Sequence, residues 1–435
     1  MRIANYGMNT TKHVLNVSIK NQVTRKKQMN NELQLSDDQR NAVDSLIDWY
    51  GQSCPNQYTT LGGYAGTGKT TTIGVFKEQI DKFNEQQDQS IDLNFDFEIE
   101  SGKKLDITYL APTGKAALQL RKRVKGNVVF IGTIHSYIYR PSLDKNGNLT
   151  GFILDGTAID NCPPDLIVVD EASMVQEELH NDLSSFNIPI IYVGDHGQLP
   201  PVKSAYFNLM TNPEIRLETI HRNAGGIAEV AEKVRKMEQL SYGKLKENVF
   251  KVRQSDNNKA VLDILYHPSP DRMVIVATNL YRTSLNKTVV KYLRNVLQNK
   301  TPDNVPIEGD RVICLRNNRK LGIFNGMVGT IEKIKDRSKD HYDMIFKPDC
   351  DEAIKVEKVS KHFFLNADGR EPKGIFPKNI GERFDYAYAI TCHKSQGSEA
   401  DEVVVFGNGF GDSTFRARWM YTAYTRAIKQ LYIVE

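Results

Sequence analysis

The chain has 435 residues, 40% of them apolar, and a formal net charge of +4. That length suits two domains with small inserts, and the mild charge excludes a strongly cationic nucleic-acid coat while allowing a local basic groove. None of the five cysteines forms a C-x-x-C pair, no apolar run approaches the ~18 residues of a membrane helix, and the N-terminus lacks a signal-peptide core, so zinc, disulfide, membrane and secretory classes recede and an intracellular, cytoplasmic, reducing compartment is expected.

Residues 1–34 read as a basic arm. Up to residue 31 they hold no Asp or Glu, yet carry Arg2, Lys12, Lys20, Arg25, Lys26 and Lys27. A solvated tail and a phosphate-touching arm are both compatible with that. Order begins at Leu35. Ser36 followed by Gln39 forms a capping box, and Ala42, Val43, Leu46, Ile47 and Tyr50 mark a helical face. A strand is predicted over Tyr58–Leu61 and a helix over Thr71–Phe83. The polar stretch Asn84–Lys104 reads as a surface insertion. From Leu105 to about Leu217 strand, turn and helix alternate, as a parallel α/β sheet requires.

Within that unit lies Ser142-Leu143-Asp144-Lys145-Asn146-Gly147-Asn148-Leu149-Thr150-Gly151-Phe152. Asn-Gly is a strong hairpin signal because a type I′ turn needs two residues that tolerate positive φ. A small two-stranded finger therefore interrupts the α/β pattern. A second α/β unit starts near Leu217. Its first helix places Ile227, Val230, Ala231, Val234 and Met237 on one face, and a strand over Met273–Ala277 and a helix near Leu285–Leu297 follow. Short strands then appear at Gly309–Leu315, Met327–Ile334, Tyr342–Phe346 and Ile354–Val359, which suits a small barrel. The α/β texture returns from Phe384 to Glu435. The two α/β halves are candidates for distant structural copies.

The chemistry concentrates at strand ends. Gly63-Tyr64-Ala65-Gly66-Thr67-Gly68-Lys69-Thr70 fits G-x-x-x-x-G-K-[ST]. In such a loop, backbone N–H groups close on phosphates, the lysine reaches the β and γ phosphates, and the threonine hydroxyl meets Mg²⁺. Leu166-Ile167-Val168-Val169 reads as a buried strand that carries Asp170 and Glu171 to the same edge, one suited to Mg²⁺ and the other to the attacking water. In Gly194-Asp195-His196-Gly197-Gln198-Leu199-Pro200-Pro201-Val202, Gln198 can bond the γ-phosphate or the water; a polar turn is the plainer reading. Arg222 and Arg426 are candidate cations for the charge that develops on a transferring phosphoryl group. Supplied from the second unit, they would tie hydrolysis to closure.

As a set, these motifs resemble superfamily 1 helicases, and among them the RecD and Dda-like branch, superfamily 1B. The resemblance runs from about Leu35 to Glu435. Gly63–Thr70 resembles motif I, Asp170-Glu171 motif II, Gly194–Val202 motif III, Arg222 motif IV and Arg426 motif VI. Gln39 resembles the adenine-reading Q motif, and its capping role can hold at the same time. Ala111–Ala117 looks like motif Ia, Gly132–Ser136 like motif Ib and Ala389–Gly397 like motif V.

The resemblance implies two RecA-like parallel-sheet domains, 35–136 with 161–216 and 217–320 with 384–435. It also implies a pin hairpin at 137–160 and an SH3-like β-barrel insert at 321–383. Gln39, Gly63, Gly66, Gly68, Lys69, Thr70, Thr71 and Asp170 would hold ATP, with Thr70 and Asp170 on Mg²⁺. Lys69, Glu171, Gln198, Arg222 and Arg426 would carry hydrolysis. Pro112, Thr113, Thr133, His135, Thr391, His393 and Lys394 would meet the nucleic-acid backbone, and such contacts position a strand without reading its bases. Phe152 would cap a terminal base pair. Tyr137, Tyr139, Tyr386 and Tyr388 could stack on bases or sit in the core.

The implied activity is an ATP-dependent, 5′-to-3′ DNA helicase acting on single-stranded and forked DNA, working as a monomer like compact phage Dda-type enzymes. Replication or recombination proteins are its candidate partners. An ATP-switched single-strand-binding or loading factor, or a protein-displacing translocase that leaves duplexes intact, fits the same motifs.

Overall fold

A computed structural model of the chain describes residues 35–52, 54–89, 104–124, 128–144, 149–201, 207–220, 225–318, 320–349, 351–366, 380–407 and 409–435. The basic arm, the Asn146-Gly147 turn and Arg222 lie outside the described residues.

The first sheet has six strands in the order Phe130–Thr133, Ile107–Ala111, Leu166–Val169, Ile190–Gly194, Tyr58–Gly63, Ile215–Leu217. Every pairing in it is parallel. Its inner strands are buried along their whole length, as in Leu166–Val169 and Ile190–Gly194. That is why they read as continuous apolar runs: a parallel sheet is covered by helices on both faces.

The second sheet runs Ile390–Thr391, Arg272–Val276, Ala400–Phe406, Ala427–Val434, Val249–Val252, Gly243–Lys246, parallel except for its last, antiparallel edge. Numbering positions along each sheet, the chain visits the fifth, second, first, third and fourth in that order in both. The two halves share one winding.

The helix Asp37–Gly51 opens on the expected capping box. The Ser36 hydroxyl accepts from the Gln39 N–H, and Gln39 Oε1 accepts from the Ser36 N–H at 3.1 Å. Replacing Ser36 with Ala removes half of this box and is expected to cost about 1 kcal/mol of stability, read as a lower midpoint in chemical denaturation.

The helix after the phosphate-type loop spans Lys69–Gln89, so the first residues of the supposed insertion at Asn84 are helical. Met237 is not on the helical face expected for it. The helix ends at Arg235, and Met237 sits at φ 61° and is 53% exposed. Glu238 N–H bonds Lys233 O and Met237 N–H bonds Val234 O, a Schellman stop whose left-handed position is filled by Met instead of the usual Gly. Periodicity alone therefore overran the end.

Inserted between Arg272–Val276 and Ile390–Thr391 is a five-stranded antiparallel sheet, ordered Ile354–Ser360, His341–Pro348, Val328–Asp336, Arg311–Cys314, Phe384–Tyr386. In His341–Pro348 burial alternates, with Tyr342, Met344 and Phe346 inward, the period a one-sided strand requires. Two of its strands, Arg311–Cys314 and Phe384–Tyr386, lie outside the 321–383 boundaries expected from sequence. The insert does not hang on a tether. Val312, Ile331, Phe346, Phe384 and Tyr386 share one core with Val274, Val276, Leu285 and Val289 of the second α/β unit. Two buried ion pairs clamp the junction, Arg282–Asp385 and Arg294–Asp310, each at 2.6 Å. Loss of one partner would strand a charge in a low-dielectric core.

The finger forms as expected from strands Tyr139–Leu143 and Leu149–Leu154, with Pro141 opposite Phe152. Two-stranded ribbons are marginal alone, and this one leans on its base. Asp155 N–H bonds Ile138 O at 2.7 Å, the Tyr139 hydroxyl bonds Asp182, and Phe152 meets the His135 ring edge-on at 4.4 Å. Phe152, Ile153 and Leu154 are 50%, 45% and 43% exposed.

Candidate nucleotide and strand-binding site

The loop Gly63–Thr70 leaves the strand Tyr58–Gly63 and runs into the helix Lys69–Gln89. Gly66 and Gly68 have φ of 84° and 83°, a region that glycine enters without steric cost. A Cβ on Gly68 would also collide with the Gln39 amide. That amide is used at both ends: Oε1 closes the helix cap, and Nε2 donates to Thr67 O at 3.0 Å. Gln39 therefore braces the loop from behind and does not line the cavity in front of it. Lys69 Nζ donates to Gly63 O at 2.7 Å and Tyr64 O at 3.0 Å. Gly63 likewise stands behind the cavity.

In front of the loop is a cavity of about 600 Å³. Gly66, Gly68, Lys69, Thr70 and Thr71 line one side, Asp170, Glu171 and Gln198 the next, and Arg426 with Gly397 and Glu399 the far side. Residues from both α/β units thus face one space. Asp170 and Glu171 follow the buried strand Leu166–Val169. Glu171 takes a left-handed backbone, φ 54° and ψ 38°, which costs a non-glycine residue about 1 kcal/mol or more and is typical of functional turns. Burial raises the Glu171 pKa, as does neighbouring Asp170, against Arg426 and Lys69. Burial also raises Asp170, opposed by the hydrogen bond from Glu171 N–H and by Lys69 and Arg123. Two carboxylates this close make one of them a poised proton acceptor.

Arg426 is 4% exposed and held in place by its surroundings. Its guanidinium donates to Thr422 O at 3.0 Å, Ser398 O at 3.3 Å and Thr425 Oγ1 at 3.2 Å. Gln198 is buried, and its Oε1 has no hydrogen-bond partner among the described residues. An orphaned buried acceptor on a cavity wall is the mark of a group waiting for a ligand or water.

The nucleic-acid candidates sit at strand ends. Thr113 caps the helix Gly114–Arg123, its Oγ1 accepting from Ala116 N–H at 3.2 Å. Thr133 caps Ile134–Ile138 through a capping box with Ser136. Thr391 stands at the N-cap of Cys392–Ser395 with no side-chain cap bond. Burial lowers the pKa of His393, and burial with Arg282 lowers that of Lys394 to about 8. Pro112, Thr113, Thr133, His135, Thr391, His393 and Lys394 are all partly accessible. Tyr137, Tyr386 and Tyr388 are buried core residues, which removes them as stacking candidates. Tyr137, on the helix Ile134–Ile138, packs into the first unit's core, while Tyr386 on its short strand and Tyr388 just after it pack into the core shared with the inserted sheet.

Sequence reasoning missed three residues. Gln119 and Arg123, on the helix that Thr113 caps, also line the cavity. Thr278 caps Asn279–Val296, its Oγ1 accepting from Tyr281 N–H at 3.2 Å. Ala111 pairs with Thr133, and Val276 pairs with Thr391, so Thr278 holds in the second half the place Thr113 holds in the first. The signal was present: a strand ending two residues before a threonine that opens a helix.

Two sequence families match the chain: the AAA domain over residues 34–257 and the UvrD-like helicase C-terminal domain over residues 386–434. The ATP-dependent RecD2 DNA helicase of Deinococcus radiodurans is 24% identical over 90% of this chain and 48% of that protein. An uncharacterised protein of Methanocaldococcus jannaschii is 23% identical over 90% of this chain and 38% of that protein. The chain thus spans about half or less of the length of these relatives. A crystal structure of Pif1 helicase from Bacteroides, in complex with ADP-AlF3 and ssDNA, shares the fold at a TM-score of 0.52 and 16% identity, covering 92% of each chain.

Proposed function

Because the chain belongs to the AAA-domain family matched over residues 34–257, and to superfamily 1B helicases of the RecD and Pif1 kind, we propose that it is an ATP-driven motor that translocates 5′-to-3′ on single-stranded DNA and separates duplex at a fork. The observation that carries this reading is a cavity of about 600 Å³, lined by the phosphate-type loop and Glu171 from one α/β unit and by Arg426 from the other. Nucleotide bound there touches Lys69 and Thr70 from one unit and Arg426 from the other, so its presence favours closure and its hydrolysis releases it.

In the proposed cycle, loop N–H groups and Lys69 hold the phosphates. Glu171 takes the proton of the attacking water, and Gln198 Oε1 orients that water. Arg426 offsets the charge that develops on the γ-phosphate. Arg222 is assigned the same kind of role from motif IV. Thr70 and Asp170 offer hard oxygen donors to the same cavity, and among the described residues no group of three His, Cys, Asp or Glu forms a protein cage for a metal. That donor set fits Mg²⁺, which takes one or two protein oxygens and completes its shell with phosphate and water. Bound there, it would neutralise phosphate charge.

Thr113, Thr133, Thr278 and Thr391 form two matched pairs of strand-end hydroxyls, one pair per unit, on which a phosphate backbone can be gripped alternately as the cleft opens and closes. Pro112, His135, His393 and Lys394 flank them. The finger that presents Phe152 is the proposed pin. No described helix is long and apolar enough to cross a membrane.

The test is strand separation on forked duplexes with only a 5′ or only a 3′ single-stranded tail, with ATP and Mg²⁺. Unwinding is expected from the 5′ tail alone. Unwinding confined to the 3′ tail reverses the polarity assignment, and ATP turnover with no unwinding from either tail favours the protein-displacing translocase.

A further inference from the structure

The fifth residue before Arg426 does something the nucleotide-site reading leaves unused. Tyr421 lies on the helix Ser413–Tyr424 of the second unit, yet its hydroxyl is seated inside the first. It accepts from Ala65 N–H of the phosphate-type loop at 3.1 Å and donates to Asp195 Oδ2 at 2.9 Å. Both capacities of a phenol are therefore filled by the partner unit. Burial, with Asp195 next, holds the Tyr421 pKa well above its ordinary value, so the hydroxyl keeps its proton and remains a donor.

Asp195 is 1% exposed and spends its other oxygen locally, Oδ1 accepting from Gly197 N–H at 2.9 Å. Oδ2 is shared: it takes the Tyr421 hydroxyl and faces Gln198 Nε2 at 3.4 Å. An amide whose nitrogen is claimed by a carboxylate must aim its oxygen elsewhere. Here that is the orphaned Oε1, on a residue that lines the cavity. The fit around the ring is tight. A Cβ on Gly197 would lie 2.9 Å from the Tyr421 ring, and Leu199 N–H donates to the adjacent Thr422 Oγ1 at 3.0 Å. Glycine at position 197 makes room for a side chain from the other unit.

We infer that Tyr421 is a positioning residue of the hydrolytic site: by docking between Ala65 and Asp195 it fixes the Gln198 amide with Oε1 turned toward the attacking water. Opening the two units withdraws the phenol, frees Asp195 and lets the Gln198 amide rotate. Hydrolysis then depends on closure through amide orientation as well as through the arrival of Arg426. The inference rests on the proposed ATP hydrolysis at this cavity and adds to it the residue that sets the geometry of Gln198.

The test compares steady-state ATP turnover, with saturating single-stranded DNA, for the wild type and for Lys69→Ala, Gln198→Ala, Tyr421→Phe, Asp195→Asn and the Tyr421→Phe/Gln198→Ala double variant. Phenylalanine keeps the ring packing against Gly197 and removes only the hydroxyl. Misplacing a positioning group is expected to lower kcat by roughly 10-fold to 100-fold, with KM for ATP within about twofold of wild type because uniform binding is untouched. Asp195→Asn is expected to match it, and it carries the test if the tyrosine variant does not fold. In the Gln198→Ala background the Tyr421 change is expected to add nothing. An unchanged kcat, a raised KM with kcat held, or losses that multiply in the double variant each overturn the inference. If the wild type shows no turnover above Lys69→Ala, the hydrolysis reading itself falls and takes this inference with it. Wild-type turnover lost in Lys69→Ala but retained in Tyr421→Phe rejects the positioning role alone.

Discussion

Glu171→Gln is expected to bind ATP normally and to lose DNA-stimulated turnover by at least about 100-fold, the usual worth of a positioned general base. The substitution keeps the side chain's size and hydrogen-bonding reach. It removes a carboxylate whose pKa burial and Asp170 raise, and with it the capacity to take a proton from water. Asp170, with Thr70, would still hold the metal. The check is paired: a fluorescent ATP analogue titration, expected to match wild type, and steady-state phosphate release, expected near background. The variant should also stay on single-stranded DNA in the ATP-bound form, since a closed cleft that cannot hydrolyse cannot reopen by that route. Full turnover would remove Glu171 from the site, and loss of both binding and turnover would make its role structural. Its left-handed backbone argues that the turn is held for chemistry, because a relaxed turn would avoid that conformation.

Deleting residues 144–150 is expected to spare DNA-stimulated ATP hydrolysis and to abolish strand separation on a forked duplex. The two readouts part because the finger stands away from the nucleotide cavity yet beside a proposed strand contact. Phe152 touches His135, two residues on from Thr133, and three consecutive apolar side chains, Phe152 to Leu154, are left about half exposed. A half-exposed apolar row near the base of a braced ribbon needs a partner surface, and a terminal base pair supplies an apolar face of suitable size. Phe152→Ala gives a milder form of the same experiment. Unwinding that survives the deletion would make the finger a surface ornament, and loss of ATP hydrolysis as well would mean that it supports the fold.

How far the site could be read from sequence follows from how local each piece is. The phosphate-type loop, the Asp170-Glu171 pair and Gln198 each lie in one short segment at a strand end, so type and spacing were enough to nominate them. Arg426 was nominated in the same way, and its side chain reaches the same cavity. Gln119 and Arg123 were invisible because only the packing of their helix turns them toward the cavity. Tyr421 could not be singled out from sequence, since its partners, Ala65 and Asp195, are more than two hundred residues away in the chain. In the fold, alternating strands and helices announced both parallel sheets. The strand over Gly309–Leu315 was legible but fell outside the 321–383 boundaries, and Phe384–Tyr386, three residues long and fully buried, read as the return of the α/β texture. Met237 shows the same limit at one helix end.

The shared winding order has a consequence for how the polypeptide is assembled as it is made. The first sheet is complete once Ile215–Leu217 has emerged, and all its strands come from one continuous stretch. The second cannot close so early. Its strand Ala427–Val434 belongs between Ala400–Phe406 and Val249–Val252, in the interior and not at an edge. Until that strand leaves the ribosome, Val249–Val252 holds only its antiparallel neighbour Gly243–Lys246, and its other side is an unpaired ladder of backbone groups. Such an edge invites pairing with another chain. Between these two events the inserted antiparallel sheet is synthesised whole, and its clamps Arg282–Asp385 and Arg294–Asp310 tie it to the helix Asn279–Val296. The insert is thus in place to shield part of the unfinished half before the last strand arrives.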